Sequence, residues 1–190
     1  MHGSTVLFVQ GAGSGAHAED QALAVSLESL LGAGYHVRYP AMPGEDDPDY
    51  ARWKPAIARA LDDVHGAIFL VAHSAGGPML LRYLAEERVP GIAGLFLIAS
   101  PWLGPGGWSS EGWSTGELLS RAKFTSQVTD STPVFLYHSR DDQVVPFAHL
   151  ALHAKQLPHA TLRAFDGRGH QLDDDLTEVA RDISRVAAGC

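Results

Sequence analysis

The chain has 190 residues, 45% hydrophobic and 19% charged, a composition that fits one globular domain with a full buried core. Its formal net charge of −8 excludes nucleic acid as a main partner, because phosphate binding needs a basic patch. The one cysteine, Cys190, excludes an intrachain disulfide, and no run of about 18 apolar residues is present to cross a membrane.

A strand is predicted over Val6–Gln10, and it opens into Gly11, Gly13, Gly15 and Ala16. With no leader pattern ahead of Val6 and no disulfide, the expected compartment is the cytoplasm. A helix over Ala22–Leu31 places Leu23, Leu27, Leu30 and Leu31 on one face and stops at Gly32 and Gly34. A strand at His36–Tyr39 follows, then a helix over Tyr50–Val64 with Trp53, Ile57 and Leu61 at helical spacing. The strand Ala67–Ala72 leads into a helix over Ala75–Glu87, and a further strand covers Leu95–Ala99. After a long irregular segment come the strand Val134–His138, the helix Phe147–Leu157 and the strand Thr161–Phe165. The last helix, Asp174–Ala187, carries Leu176, Val179, Ile183 and Val186 on one face, with Asp173, Asp174 and Asp175 at its positive end.

Strand and helix alternate throughout, and most strands are continuous apolar runs, as in strands covered on both faces. The expected architecture is a single α/β domain over 1–190 with a mainly parallel sheet of about six strands. The segment 100–132 breaks the rhythm. It is rich in Gly, Ser and Trp and too long for a plain connection, so it is expected to be a cover. Trp102, Trp108 and Trp113 either line a pocket beneath it or pack it against the sheet.

Two motifs compete for the function. Gly11-x-Gly13-x-x-Ala16 after a strand fits a dinucleotide fingerprint, and Arg38 at the end of the next strand is placed to meet a 2′-phosphate. Tyr50 and Lys54 have the spacing of a dehydrogenase Tyr/Lys pair but come too early in the chain, and read better as a helix face. Against this stands Ala72-His73-Ser74-Ala75-Gly76, a small-x-Ser-x-small turn between strand and helix. Small residues two places either side of a serine are what a sharp nucleophile elbow demands. The elbow calls for an acid and then a histidine, each in a loop after a later strand. Asp141 and Asp142 follow Val134–His138, and His170 follows Thr161–Phe165. Asp166 is a weaker alternative acid. The dinucleotide reading leaves these placements unexplained.

Taken together, the chain resembles an α/β-hydrolase-fold serine hydrolase, most like the small retinoblastoma-binding-protein type. The likeness runs over nearly the whole length. It implies a three-layer fold trimmed of the family's first two antiparallel strands. Ser139 to Pro146 resembles the family's Gly-x-x-Asp-x-x-Val-Pro stretch and so puts the acid at Asp142. Gly169-His170 resembles the family's histidine site. Gln10-Gly11-Ala12 stands where the family has His-Gly-x, which implies an oxyanion hole from the backbone N–H groups of Ala12 and Ala75. The implied activity is cleavage of a small, largely apolar ester through an acyl-enzyme on Ser74, His170 and Asp142, with no cofactor or metal. A protein-binding scaffold with a vestigial triad is the alternative, and the oligomeric state is not readable. His73 is expected to pack beside the serine without a chemical role. His149 and His153 have zinc-ligand spacing but no third ligand, and are expected at the surface. Glu45, Asp46 and Asp47 are expected to be solvated.

Overall fold

The computed structural model describes residues 3–108, 128 and 132–189. Trp113, Cys190 and most of the segment 100–132 lie outside the described residues. Six strands, β1 (Ser4–Val9), β2 (Tyr35–Arg38), β3 (Ile68–His73), β4 (Ile92–Ile98), β5 (Val134–Ser139) and β6 (Thr161–Phe165), form one sheet in the order β2-β1-β3-β4-β5-β6. Every pairing is parallel. Among the described residues, five longer helices connect or follow them: α1 (Ala16–Leu31), α2 (Tyr50–Leu61), α3 (Gly76–Glu86), α4 (Ala148–Gln156) and α5 (Thr177–Ala188).

Side chains alternate across the sheet and feed two cores. Leu7, Val9, Leu70, Leu95 and Leu97 meet Trp53 and Ile57 of α2, Leu80 and Leu84 of α3, and Leu150 of α4. Val6, Phe8, Val71, Phe96 and Ile98 meet Leu23 and Leu27 of α1 and Val179 and Ile183 of α5. The central strands are buried on both faces, which is why their sequences read as unbroken apolar runs. The edge strands β2 and β6 are only partly covered. This is the α/β architecture with a parallel sheet expected from the alternation, in the three layers that the resemblance implies.

Two helices differ from expectation. α1 starts at Ala16, directly out of the glycine loop rather than at residue 22, and this puts Asp20 on the buried stripe with Leu23, Ala24 and Leu27. Leu30 lies at the edge of that stripe and is exposed. The final helix starts at Thr177, because Leu172, Asp173 and Asp174 have φ of 48°, 54° and 56°. A left-handed run cannot feed a right-handed helix. Only Asp175 reaches the helix start, where Oδ1 accepts the Thr177 N–H at 2.9 Å.

The chain places β2 to one side of β1 and then returns to lay β3 on the other. The crevice between the carboxyl ends of β1 and β3 is thus a topological switch point, the usual ligand site of an open parallel sheet. The glycine loop leaves β1 there and Ser74 leaves β3 there.

Candidate active site

Ser74 follows β3 with φ 48°, a left-handed conformation that a non-glycine residue adopts only under constraint. Its N–H donates to Ile98 O at 2.9 Å, and its carbonyl accepts Gly77 N–H at 3.0 Å. The turn tolerates no side chain on its far flank. A Cβ on Gly76 would lie 2.4 Å from Gln10 O and 2.6 Å from Val9 O, and one on Gly77 would lie 2.0 Å from Ser100 Oγ. The small residues of the elbow are therefore a packing requirement against the ends of β1 and β4.

The glycine loop presses on the same turn. A Cβ on Gly11 would sit 3.1 Å from Ser74 Cβ and 3.4 Å from His73 Nδ1. Two groups hold this loop. Buried Gln10 donates from Nε2 to Glu45 Oε2 at 2.9 Å and accepts the Met42 N–H at Oε1 at 2.9 Å. Glu45 also accepts from Gly15 N at 3.1 Å and His17 N at 2.7 Å. Glu45 is thus not merely solvated: its carboxylate occupies the N-terminus of α1, and these hydrogen bonds hold it below the usual carboxylate range. A dinucleotide pyrophosphate would need that position. Arg38 is spent as well, donating to the carbonyls of Ala60 and Asp62. The main supports of the dinucleotide reading are both otherwise engaged.

On the other side of the crevice, His170 Nδ1 donates to Asp142 Oδ2 at 2.8 Å. The Asp142 side chain is fully buried, and that of His170 is 15% exposed. Asp142 Oδ1 accepts the N–H groups of Val144 and Val145 at 2.8 and 2.9 Å. Buried His138 approaches Oδ2 at 3.1 Å while donating from the same Nε2 to Val145 O at 2.8 Å. Burial would push the carboxyl pKa up, but the hydrogen bonds from His138, His170 and Val145 outweigh it and hold Asp142 well below the usual range. Asp141 faces elsewhere, accepting from Ser139 Oγ and from Gly169 N at 3.0 Å, so it shapes the histidine loop. Asp166 pairs with Arg140 at an exposed position.

His73 links the two sides. Its Nδ1 lies 2.9 Å from Asp20 Oδ2, its Nε2 lies 3.1 Å from His170 O, and its ring centroid is 4.7 Å from that of His170. Sequence reasoning missed Asp20, His138 and Gln171. Asp20 had a visible signal, a carboxylate on the apolar stripe of a helix, but only once the helix is extended back to Ala16.

The histidines of α4 are buried, contrary to the surface placement expected. His149 Nδ1 accepts the Trp102 N–H at 2.8 Å, and His153 Nε2 donates to Ser100 O at 3.1 Å. Trp102 is buried edge-on to His153, and the partly exposed Trp108 lies edge-on to His149. The helix uses both imidazoles to fasten the start of the segment 100–132. Among the described residues, no group of three or more His, Cys, Asp or Glu side chains is arranged to hold a metal ion, and no helix is long and apolar enough to span a membrane.

Residues 25–177 match the family model described as serine hydrolase. The chain belongs to that family. YdeN of Bacillus subtilis (strain 168), named as a hydrolase, is 26% identical over 153 residues, 77% of this chain and 75% of YdeN. The crystal structure of the B. subtilis ydeN gene product superposes with a TM-score of 0.74 at 21% identity, covering 99% of this chain and 100% of that one. Est1E from Butyrivibrio proteoclasticus superposes with a TM-score of 0.69 at 16% identity, covering 98% and 88%. Both solved structures share the fold.

Proposed function

We propose that this serine hydrolase cleaves carboxylic esters or thioesters of small, largely apolar acids, with Ser74 as nucleophile, His170 as base and Asp142 as its orienting acid. The observation that carries the reading is the buried Asp142–His170 hydrogen bond, supplied by the loops after β5 and β6, on the crevice that receives Ser74. Within the family we infer the compact retinoblastoma-binding-protein type, and a cytoplasmic location.

In this mechanism His170 Nε2 takes the Ser74 proton as Oγ attacks the substrate carbonyl carbon. Asp142 holds Nδ1 and stabilises the imidazolium that forms. The N–H groups of Ala12 and Ala75 receive the oxyanion, a contribution of about 3 kcal/mol per donor. His170 returns the proton to the leaving alcohol or thiol; water, deprotonated by His170, then attacks the acyl carbon, and the proton passes back to Ser74 Oγ as the acid leaves. The α3 N-terminus behind Ala75 favours the developing charge. The ferulic acid bound by Est1E in one of its solved structures supports an aromatic, largely apolar acyl group.

The test is intact mass after exposure to a fluorophosphonate, on wild type and on Ser74→Ala. One adduct on wild type and none on folded Ser74→Ala is the expected result, followed by turnover on a panel of p-nitrophenyl esters and acyl thioesters. Labelling or ester turnover retained in Ser74→Ala would overturn the assignment.

A further inference from the structure

We propose that Asp20, acting through an imidazolium at His73, is a positioning residue for the hydrolytic reaction, tying the Gly11 loop, the nucleophile elbow and the His170 loop into one arrangement. The proposal rests on the reading of Ser74, His170 and Asp142 as the triad.

The hydrogen-bond partners decide the charge. Asp20 and His73 side chains are 2% and 1% exposed. Asp20 Oδ2 accepts the Gly11 N–H at 2.7 Å and faces His73 Nδ1 at 2.9 Å, while Oδ1 accepts Gln171 Nε2–H at 3.0 Å. An oxygen engaged by a backbone donor presents lone pairs to the imidazole, so Nδ1 must carry a proton. The other ring nitrogen faces the His170 carbonyl at 3.1 Å, and a carbonyl only accepts. Both nitrogens therefore donate, which is the charged form of histidine. The surroundings agree. Burial opposes the charge, but the Asp20 carboxylate from α1, the His170 carbonyl from the loop after β6 and Asp142 from the loop after β5 outweigh it, leaving the His73 pKa raised.

A buried ion pair is a poor way to gain stability, since desolvation of both groups consumes most of the attraction. Its three outward hydrogen bonds instead reach the Gly11 loop and the His170 loop, while His73 itself adjoins the elbow. Gly11 directly precedes Ala12, one of the two proposed oxyanion donors. His73 directly precedes Ser74. The His170 carbonyl and Gln171 fix the backbone of the loop that presents the base, while Asp142 fixes the base's ring. Asp142 alone sets the direction of one nitrogen; Asp20 sets where the whole residue stands relative to Ser74. Displacement of a reacting group by about 1 Å costs on the order of 100-fold in rate.

The experiment combines imidazole-nitrogen NMR with fluorophosphonate labelling and p-nitrophenyl ester kinetics. It compares wild type, Asp20→Asn and Gln171→Ala, with the His73 signal assigned by its loss in His73→Gln. In wild type, His73 is expected to keep both ring nitrogens protonated across the range in which an ordinary histidine loses one. In Asp20→Asn it should lose one proton within that range, and kcat and the labelling rate should fall about 10- to 100-fold with KM nearly constant. Gln171→Ala keeps the ion pair and removes only the Oδ1 brace, so it should slow labelling less while His73 stays charged; it carries the kinetic test if Asp20→Asn does not fold. A neutral His73 in wild type overturns the proposal, as does a folded Asp20→Asn that labels at the wild-type rate. Wild type that takes no label at all would overturn the triad reading, and this role with it.

Discussion

His170 and Asp142 are joined at 2.8 Å by a hydrogen bond whose acceptor side chain is fully buried and whose donor reaches the crevice above the sheet. The acceptor oxygen has a second imidazole, His138, at 3.1 Å, so the acid is held from two sides. Replacement of Asp142 by Asn should leave the amide free to turn its NH2 toward His170 and favour the wrong tautomer. The expected outcome is a loss of about 10³- to 10⁴-fold in kcat on a p-nitrophenyl ester, with KM changed little. Steady-state kinetics on a variant with wild-type circular dichroism check it.

The elbow makes a steric prediction. Gly76→Ala forces a methyl into two backbone carbonyls, Gln10 O at 2.4 Å and Val9 O at 2.6 Å, neither of which can rotate away. It should lower stability by at least about 1–3 kcal/mol, the range for overpacking, and depress labelling of Ser74. Gly34→Ala, where a Cβ meets nothing within 4 Å, is the matched control and should be nearly neutral. Urea midpoints on the two variants provide the comparison.

Gln10 is fully buried, and its amide joins Met42 N and Glu45. Gln10→Leu keeps the volume, strands the buried Met42 N–H and removes one of the donors on Glu45. A loss of about 1–3 kcal/mol in stability is expected, as for a buried group left unpaired. Labelling of Ser74 should slow as well, because the Gly11–Ala12 backbone loses its tether. Equal labelling rates with equal urea midpoints would contradict the role assigned to the amide.

His153 gives a pH signature. Burial lowers its pKa from the usual 6.5 to about 4, despite the Ser100 carbonyl that favours its charged form. The unfolded chain therefore binds a proton near pH 6.5 that the folded chain refuses until about pH 4. The native state binds fewer protons in that window, so stability contributed here is complete above about pH 6.5 and falls as the pH drops toward 4. The span corresponds to about 3 kcal/mol at most. Chemical denaturation between pH 7 and 4 should show a shallower decline in His153→Gln than in wild type.

Much of this was legible before any coordinates. Unbroken apolar runs marked β1, β3 and β5 as doubly covered strands, and the order Ser, acid, His fell on the loops that follow β3, β5 and β6. What stayed hidden were the contacts that cross the sheet's carboxyl edge. Asp20 and His73 are 53 residues apart, and Gln171 binds Asp20 from 151 residues away. No local pattern encodes such a pairing. His149 and His153 misled for a related reason: an i, i+4 histidine pair looks like an exposed or metal-binding face, and only the carbonyl and N–H of the segment leaving β4 explain why both are buried. The start of the last helix was misjudged because three left-handed residues, two of them aspartates able to adopt that conformation, resemble a helix cap in sequence.

The segment 100–132 is rooted at both ends. Ser100 and Trp102 are fastened to α4, and Val128 is fully buried in the core on the α2, α3 and α4 side of the sheet. Ser100 is also the neighbour that Gly77 leaves room for, so a change at His153 reaches the turn around Ser74 through a single shared residue.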